Sequence, residues 1–319
     1  MKKNYIYALV TVVIWATMAT VVKVLMGNMP DLQALGIGSL FAFVFLFIMN
    51  AATGRLKEMR NCSPKDIAKM AGLGFLGLFL YSYLYYYGIG TLTSQEACIL
   101  NYLWPIMLMI FSCIILKESI TVRKVAAMLS SFVGIVVLTT GSGGTAGEGR
   151  IAGIAACIIG AACYGLFSVL NKKEDMDQNL TMMVIWLTTA VCSFAAGLPA
   201  GNWIPVRGFQ WLGLIWLGVV VNAVAYLLWA LSLRGIENTA KIANLAYLTP
   251  FLSVMISAVF LKERMHVTAV LALILIVGGI LIQSIPASGD KVSSGERPAE
   301  QVPADSRAGS SEPENKRKD

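Results

Sequence analysis

A segment near residue 100 returns near residue 245, and this recurrence constrains the fold more than any single residue does. Asn101-Tyr-Leu-Trp-Pro105 followed by Leu116-Lys-Glu118 aligns, at a shift of 145 residues, with Ala246-Tyr-Leu-Thr-Pro250 followed by Leu261-Lys-Glu263. The register runs on without gaps, setting Tyr81 against Tyr226, Gly90 against Gly235, Ser112 against Ser257 and Gly134 against Gly279. A second match, needing a few residues of slippage, pairs Trp15 through Lys23 with Tyr164 through Lys172. The chain reads as one unit, duplicated.

Composition places that unit in a membrane. Hydrophobic residues make up 57% of the chain and charged residues 13%, with a mean hydropathy of +0.69. A soluble domain is about half apolar and a quarter charged. Lipid offers an open backbone no hydrogen-bond partner, so each crossing needs a helix of about 20 apolar residues. Ten such stretches fit: Tyr5–Leu25, Leu32–Ala52, Ile67–Ile89, Leu92–Leu116, Val122–Thr140, Ile151–Leu170, Met182–Pro199, Trp211–Leu233, Thr239–Leu261 and Val267–Ser284. The expected fold is an all-α membrane protein.

An even number of crossings leaves both termini on one side. Cytoplasmic termini put Lys2, Lys3, Arg55, Lys57, Arg60, Lys65, Lys69, Lys117, Arg123, Lys124, Lys172, Lys173 and Arg234 inside, against Arg150, Arg207, Lys262 and Arg264 outside. The positive-inside rule favours that orientation. The net charge of +7 then reflects attraction to anionic lipid headgroups, and no nucleic-acid partner is needed to explain it. Lys2 and Lys3 before an apolar run resemble the start of a secretory signal. Cleavage there would leave a helix of the second half without its counterpart, so the first helix is expected to stay. From Pro286 to Asp319 the chain turns to Ser, Gly, Pro, Glu and Lys without an aromatic residue, a composition expected to be disordered. The organisation expected is therefore a first repeat over 1–140, a second over 150–285, and a cytoplasmic tail over 286–319.

Five crossings per repeat is an odd number, so the second copy must enter the membrane from the opposite face. Inverted repeats of this kind build alternating-access carriers, whose substrate site lies near the midplane between the halves. Two five-helix repeats, each carrying Tyr-Leu-x-Pro, a dozen apolar residues and then Leu-Lys-Glu, resemble the EamA-like members of the drug/metabolite transporter superfamily over residues 1 to about 285. Asn101-Tyr-Leu-Trp-Pro105 also resembles the bacterial aromatic amino acid exporter branch, from which Thr249 departs in the second half. The resemblance implies a bacterial inner-membrane carrier with a central cavity lined by helices 1, 3, 4, 6, 8 and 9, and with helices 5 and 10 peripheral.

The residues that would face such a cavity have local alternatives. Pro105 and Pro250 remove a ladder bond in mid-helix and free the carbonyls of Asn101 and Ala246, either as hinges or as kinks that neighbouring helices repair. Trp15, Tyr81, Tyr164, Tyr226 and Tyr247 place rings inside spans, where they can stack on substrate or pack on one another. Tyr85, Tyr86 and Tyr87 read as an interfacial belt. Asn101, Asn222 and Asn244 bring amides into the apolar interior, either to bind substrate or to join helices. Glu96 follows Thr93 at capping-box spacing, with proton or amine binding as the rival role. Lys241 holds the matching position in the second half, where a cation opposes the helix dipole; it is either a snorkelling anchor or a contact for an anionic group. Lys23 and Lys172, at C-terminal helix ends, read as anchors, and Gly72, Gly77, Ala156, Gly160, Ala161 and Gly165 as small residues that let helices approach.

Other chemistries find little support. The cysteines form no C-x-x-C pair and read as small packing residues, and the single histidine leaves a metal hydrolase without ligands. No phosphate-binding loop occurs, so ATP-driven transport within this chain is not expected. The chain reads as a secondary transporter and not as an enzyme, with no cofactor expected. The partners expected are membrane lipids and a small-molecule substrate, with a homodimer left open. Export of amino acids, aromatic ones among them, or of related metabolites is the first reading, and a multidrug or vitamin carrier of the same fold is the second.

Overall fold

The computed structural model describes residues 2–27, 29–115, 117, 122–141, 149–174, 176–232, 245, 248–263 and 266–284. Among these there are helices and turns and no strand. Seven helical stretches are long and apolar enough to cross a membrane: α1 (Lys3–Met26), α2 (Asp31–Ala52), α3 (Pro64–Thr91), α4 (Ser94–Ile115), α6 (Arg150–Asn171), α7 (Gln178–Ala200) and α8 (Gln210–Trp229). Three further apolar helices are α5 (Val122–Gly141), α9 (Leu248–Phe260) and α10 (Val267–Ser284). The tail from Pro286, the stretch 233–244, Glu118 and Tyr247 lie outside the described residues.

Local chemistry sets the helix starts. Ser63 and Asp66 form a reciprocal capping box around Pro64 at the start of α3, so its first N–H groups are satisfied before the apolar run begins. Asp177 accepts from Asn179 N and Leu180 N to begin α7, and the same carboxylate pairs with Arg55 at 2.9 Å. Thr93 and Glu96 form the capping box their spacing predicts at the start of α4.

Several helices are interrupted where they cross the middle of the unit. α1 breaks at Thr17, whose hydroxyl donates to the Ile14 carbonyl and accepts from Trp216 Nε1. α4 breaks at Tyr102–Leu103, one turn ahead of Pro105, which has no N–H to give the Asn101 carbonyl. α3 and α8 each contain a π-helical stretch, Phe75–Leu80 and Trp216–Ala225, and in both the α-helix resumes at the sequence-matched tyrosines, Tyr81 and Tyr226. Lys117 and Lys262, also sequence-matched, have φ of 55° and 54°, which no other non-glycine residue among those described approaches.

Packing runs α2 on α7, α3 and α4 on α6, α8 on α1 and α2, and α9 on α1. Small residues allow the closest crossings. A Cβ on Gly165 of α6 would stand 2.6 Å from the Leu108 nitrogen of α4, and one on Gly218 of α8 would meet the Gly38 carbonyl of α2. Gly72 differs from this pattern, with nothing within 4 Å of where its Cβ would stand. α5 and α10 pack on each other, with Ser130 Oγ donating to the Leu275 carbonyl at 2.7 Å, and they touch the rest of the unit mainly through α4. Large apolar side chains such as Ile48, Leu129, Phe132, Val191 and Val259 stand exposed, as a lipid-facing surface requires.

Candidate functional site

A cavity of about 70 Å³ lies where the interrupted helices meet. Its walls are Trp15 and Met18 of α1, Tyr81 and Tyr85 of α3, Cys98, Asn101, Tyr102 and Trp104 of α4, Tyr164 of α6, Tyr226 of α8, and Thr249 and Ser253 of α9. No charged side chain lines it among the described residues. The breaks in α1 and α4 adjoin this space, with Trp15 and Met18 flanking one and Tyr102 and Trp104 at the other, and the π-helical turns of α3 and α8 end just before Tyr81 and Tyr226.

The rings form a connected wall. Trp15 sits edge-on to Tyr226 at 5.3 Å, and Tyr164 lies against Tyr81 at 4.8 Å. Trp104 meets Tyr164 edge to face at 5.2 Å, 89° between planes. Trp15 also packs on Trp229, and Trp186 of α7 stands edge-on behind Tyr226. Matched residues of the two halves meet here: Trp15 with Tyr164, Tyr81 with Tyr226, and Trp104 with Thr249 all line one space. Two cavity groups, Trp15 Nε1 and Asn101 Oδ1, have no hydrogen-bond partner among the described residues. One is a donor and the other an acceptor. Burying such groups unpaired costs about 1–3 kcal/mol each, which a ligand carrying both functions would recover.

A second pocket of about 260 Å³ lies toward the Arg55 end, lined by Leu46, Met49, Arg55, Asn179, Met182 and Asn222 among others. Tyr226 lines both the small central cavity and the larger pocket.

The structure thus brings Trp15, Tyr81, Asn101, Tyr164 and Tyr226 together. Asn222 lines the second pocket instead. Glu96 turns away from the cavity: its carboxylate closes the capping box with Thr93 and pairs with Arg150 at 2.7 Å, both side chains being largely buried. Lys241, Asn244 and Tyr247 lie outside the described residues. The belt reading of Tyr85 and Tyr86 is corrected, since both are buried and Tyr85 lines the cavity; Tyr87 is exposed. Lys23 is not a headgroup anchor either, because its ammonium donates to the carbonyls of Ile89 and Leu92 at the end of α3. Tyr85, Trp104, Thr249 and Ser253 are cavity residues that the sequence reading missed; the match of Trp104 to Thr249 across the repeat was the available signal.

Interrupted apolar helices around a midplane cavity, with the matched segments of a duplicated chain meeting on it, define a multi-pass membrane transporter. The EamA-like transporter family model matches the chain twice, over residues 2–140 and 151–285, and the chain belongs to that family. It is 25% identical over 289 residues to the uncharacterized transporter YvbV of Bacillus subtilis (strain 168), covering 89% of this chain and 92% of that one. It is also 25% identical over 216 residues to the aromatic amino acid exporter YddG of Ancylobacter novellus, covering 67% of this chain and 75% of that one. A crystal structure with 21% sequence identity superposes with a TM-score of 0.66 over 89% of this chain and 96% of the other, a likeness of fold.

Proposed function

We propose that the chain is a secondary-active carrier that exports amino acids, aromatic ones among them, or related small metabolites from a bacterial cytoplasm by alternating access. In this reading its ten helices form two inverted five-helix repeats, and the Arg55 end faces the cytoplasm. The observation that carries the proposal is the ring-walled cavity with its unpaired donor and acceptor. Trp15, Tyr81, Tyr164 and Tyr226 can stack on a planar side chain, Asn101 Oδ1 can accept from an ammonium, and Trp15 Nε1 can donate to a carboxylate. The name of the Ancylobacter relative supports the substrate class.

The central cavity of about 70 Å³ is smaller than the roughly 300–1,000 Å³ of ordinary ligand pockets. Rotation of Tyr226 would join it to the pocket of about 260 Å³ and admit a ring from the Arg55 end. Pro105, beside the break in α4, and Pro250, in the first turn of α9, are the proposed hinges.

A second reading is supported by the uncharged walls. Rings without a carboxylate also suit planar drugs or vitamins, including cations held over aromatic faces. Counterflow of radiolabelled phenylalanine, tyrosine, tryptophan and threonine in proteoliposomes, with and without a pH gradient, separates the two readings. Saturable aromatic flux is expected. Absence of flux for every amino acid, in folded protein, would reject the first reading in favour of the second.

A further inference from the structure

The end of the unit that holds Lys23 carries a polar knot whose residues do not line the cavity. α9 ends at Phe260, and Lys262, in the left-handed region, turns the chain so that Glu263 faces back toward α4. Its carboxylate accepts from Ser94 N at 2.9 Å and from Gln95 N at 3.3 Å, while Gln95 Nε2 donates to the Glu263 carbonyl at 3.4 Å. Ser94 and Gln95 are the first residues of α4, whose N–H groups have no partner within the helix. Thr93 Oγ1 takes the next one, from Glu96. α4 therefore starts with a cap supplied in part by a residue 169 positions along the chain.

A helix start carries partial positive charge, and an anion there forms charge-assisted bonds. Lys23 of α1 lies close enough to Glu263 and Glu96 to feel both charges, and it donates to the last carbonyls of α3. Arg150 of α6 pairs with Glu96. Side chains of α1, α6 and the turn after α9 thus converge on the α3–α4 junction directly above Cys98 and Asn101, which line the cavity. The left-handed lysine recurs at Lys117 in the first-half motif, so the turn that aims the glutamate belongs to the Leu-Lys-Glu motif itself. The carboxylate's bonds run to backbone N–H groups, so they constrain the glutamate and leave the identity of residue 94 free, while Gln95 adds a side-chain bond to the Glu263 carbonyl.

We propose that Glu263 is the latch that holds the Lys23 end of the transporter shut, by capping α4, and that it must leave Ser94 and Gln95 for the cavity to open on that side. This rests on the alternating-access reading. Glu263 acts as a positioning residue and touches no substrate.

The test reads which face the cavity opens to, and it needs no substrate. In a chain whose six cysteines are replaced by serine, Met18→Cys places a thiol on the cavity wall. Its rate of modification by a membrane-impermeant thiol reagent is measured in right-side-out and inverted vesicles. Glu263→Gln should raise the rate from the Lys23 face about tenfold, equivalent to ~1.4 kcal/mol, and lower it or leave it unchanged from the other face. Glu263→Asp, which keeps the charge and shortens the reach, should shift the ratio in the same direction by less. Lys69→Gln, which breaks an exposed pair with Glu174 at the opposite end, should leave the ratio within about twofold. Wild-type protein modified from both faces, with Glu263→Gln and Glu263→Asp unchanged or equally faster from both, would overturn the latch alone. Wild-type protein modified from one face only would overturn alternating access and the latch with it.

Discussion

Tyr81 and Tyr226 each begin the α-helical turn that follows a π-helical one, and both rings face a single cavity. A π-turn accommodates one residue more than an α-turn, and at 3.6 residues per turn that extra residue rotates everything beyond it by about 100°. Deleting Leu76 should therefore swing Tyr81 out of the wall, and deleting Val219 should do the same to Tyr226. Each deletion should retain the helical circular dichroism of the parent and abolish counterflow; native flux in either variant would show that the wide turn has no part in placing the ring.

The ring contacts Trp15–Tyr226 and Tyr164–Tyr81 are equivalent across the repeat, since Trp15 matches Tyr164 and Tyr226 matches Tyr81. If both rings stack on substrate, Trp15→Leu and Tyr164→Leu should each raise KM about threefold to tenfold, from ~0.5–1.5 kcal/mol per aromatic contact. Trp15→Phe should recover part of the loss. Initial-rate kinetics in proteoliposomes check this, and equal effects on flux of an unrelated sugar would point to general leakage instead.

Asn101→Leu removes an unpaired buried acceptor together with the amide's hydrogen bond to Tyr81. The two effects oppose each other, each about 1 kcal/mol or a little more. Thermal unfolding in detergent should change little while transport falls about tenfold or more. A drop in both would mean that the amide serves the packing of α4.

Gly218 and Gly72 form a matched pair of positions for testing packing. A side chain on Gly218 runs into the α2 backbone at Gly38, whereas one on Gly72 meets nothing within 4 Å. Gly218→Leu should cost about 1–3 kcal/mol or more, and Gly72→Leu close to none. Melting temperatures of the two variants in one detergent decide the matter.

Pro105→Ala restores the N–H that the Asn101 carbonyl lacks, which should straighten α4 across its break at Tyr102–Leu103. The maximal rate should fall several-fold while KM moves little, because the change resists motion without touching the rings. Native rates in both Pro105→Ala and Pro250→Ala would remove the hinges from the mechanism.

The membrane class, the duplication and the rings at Trp15, Tyr81, Tyr164 and Tyr226 were legible in the sequence because hydropathy and self-similarity are properties of the chain alone. Other features depended on partners that a linear reading cannot see. Three adjacent tyrosines at 85–87 say nothing about which face inward, and packing decided that Tyr85 and Tyr86 are buried. Trp104 was lost because the break at Tyr102–Leu103 resets the helical phase, so spacing from Asn101 no longer predicts direction. Glu96 was recognisable as a cap, but its pairing with Arg150 spans 54 residues, and Lys23 finds its carbonyls 66 and 69 residues away.

The paired π-turns also bear on the ancestry of the chain. A π-turn records one inserted residue, and here the two turns end at the same register, at Leu80 and at Ala225. The second stretch begins four positions earlier than the first in this register, but separate insertions after the halves had diverged would have to end at the same position by coincidence. The simpler history is that a single ancestral half already carried the insertion, so the wide turn is older than the doubling of the gene. On that history the tyrosine placement also predates the doubling, and each half of the cavity wall was in place before the two halves shared one chain.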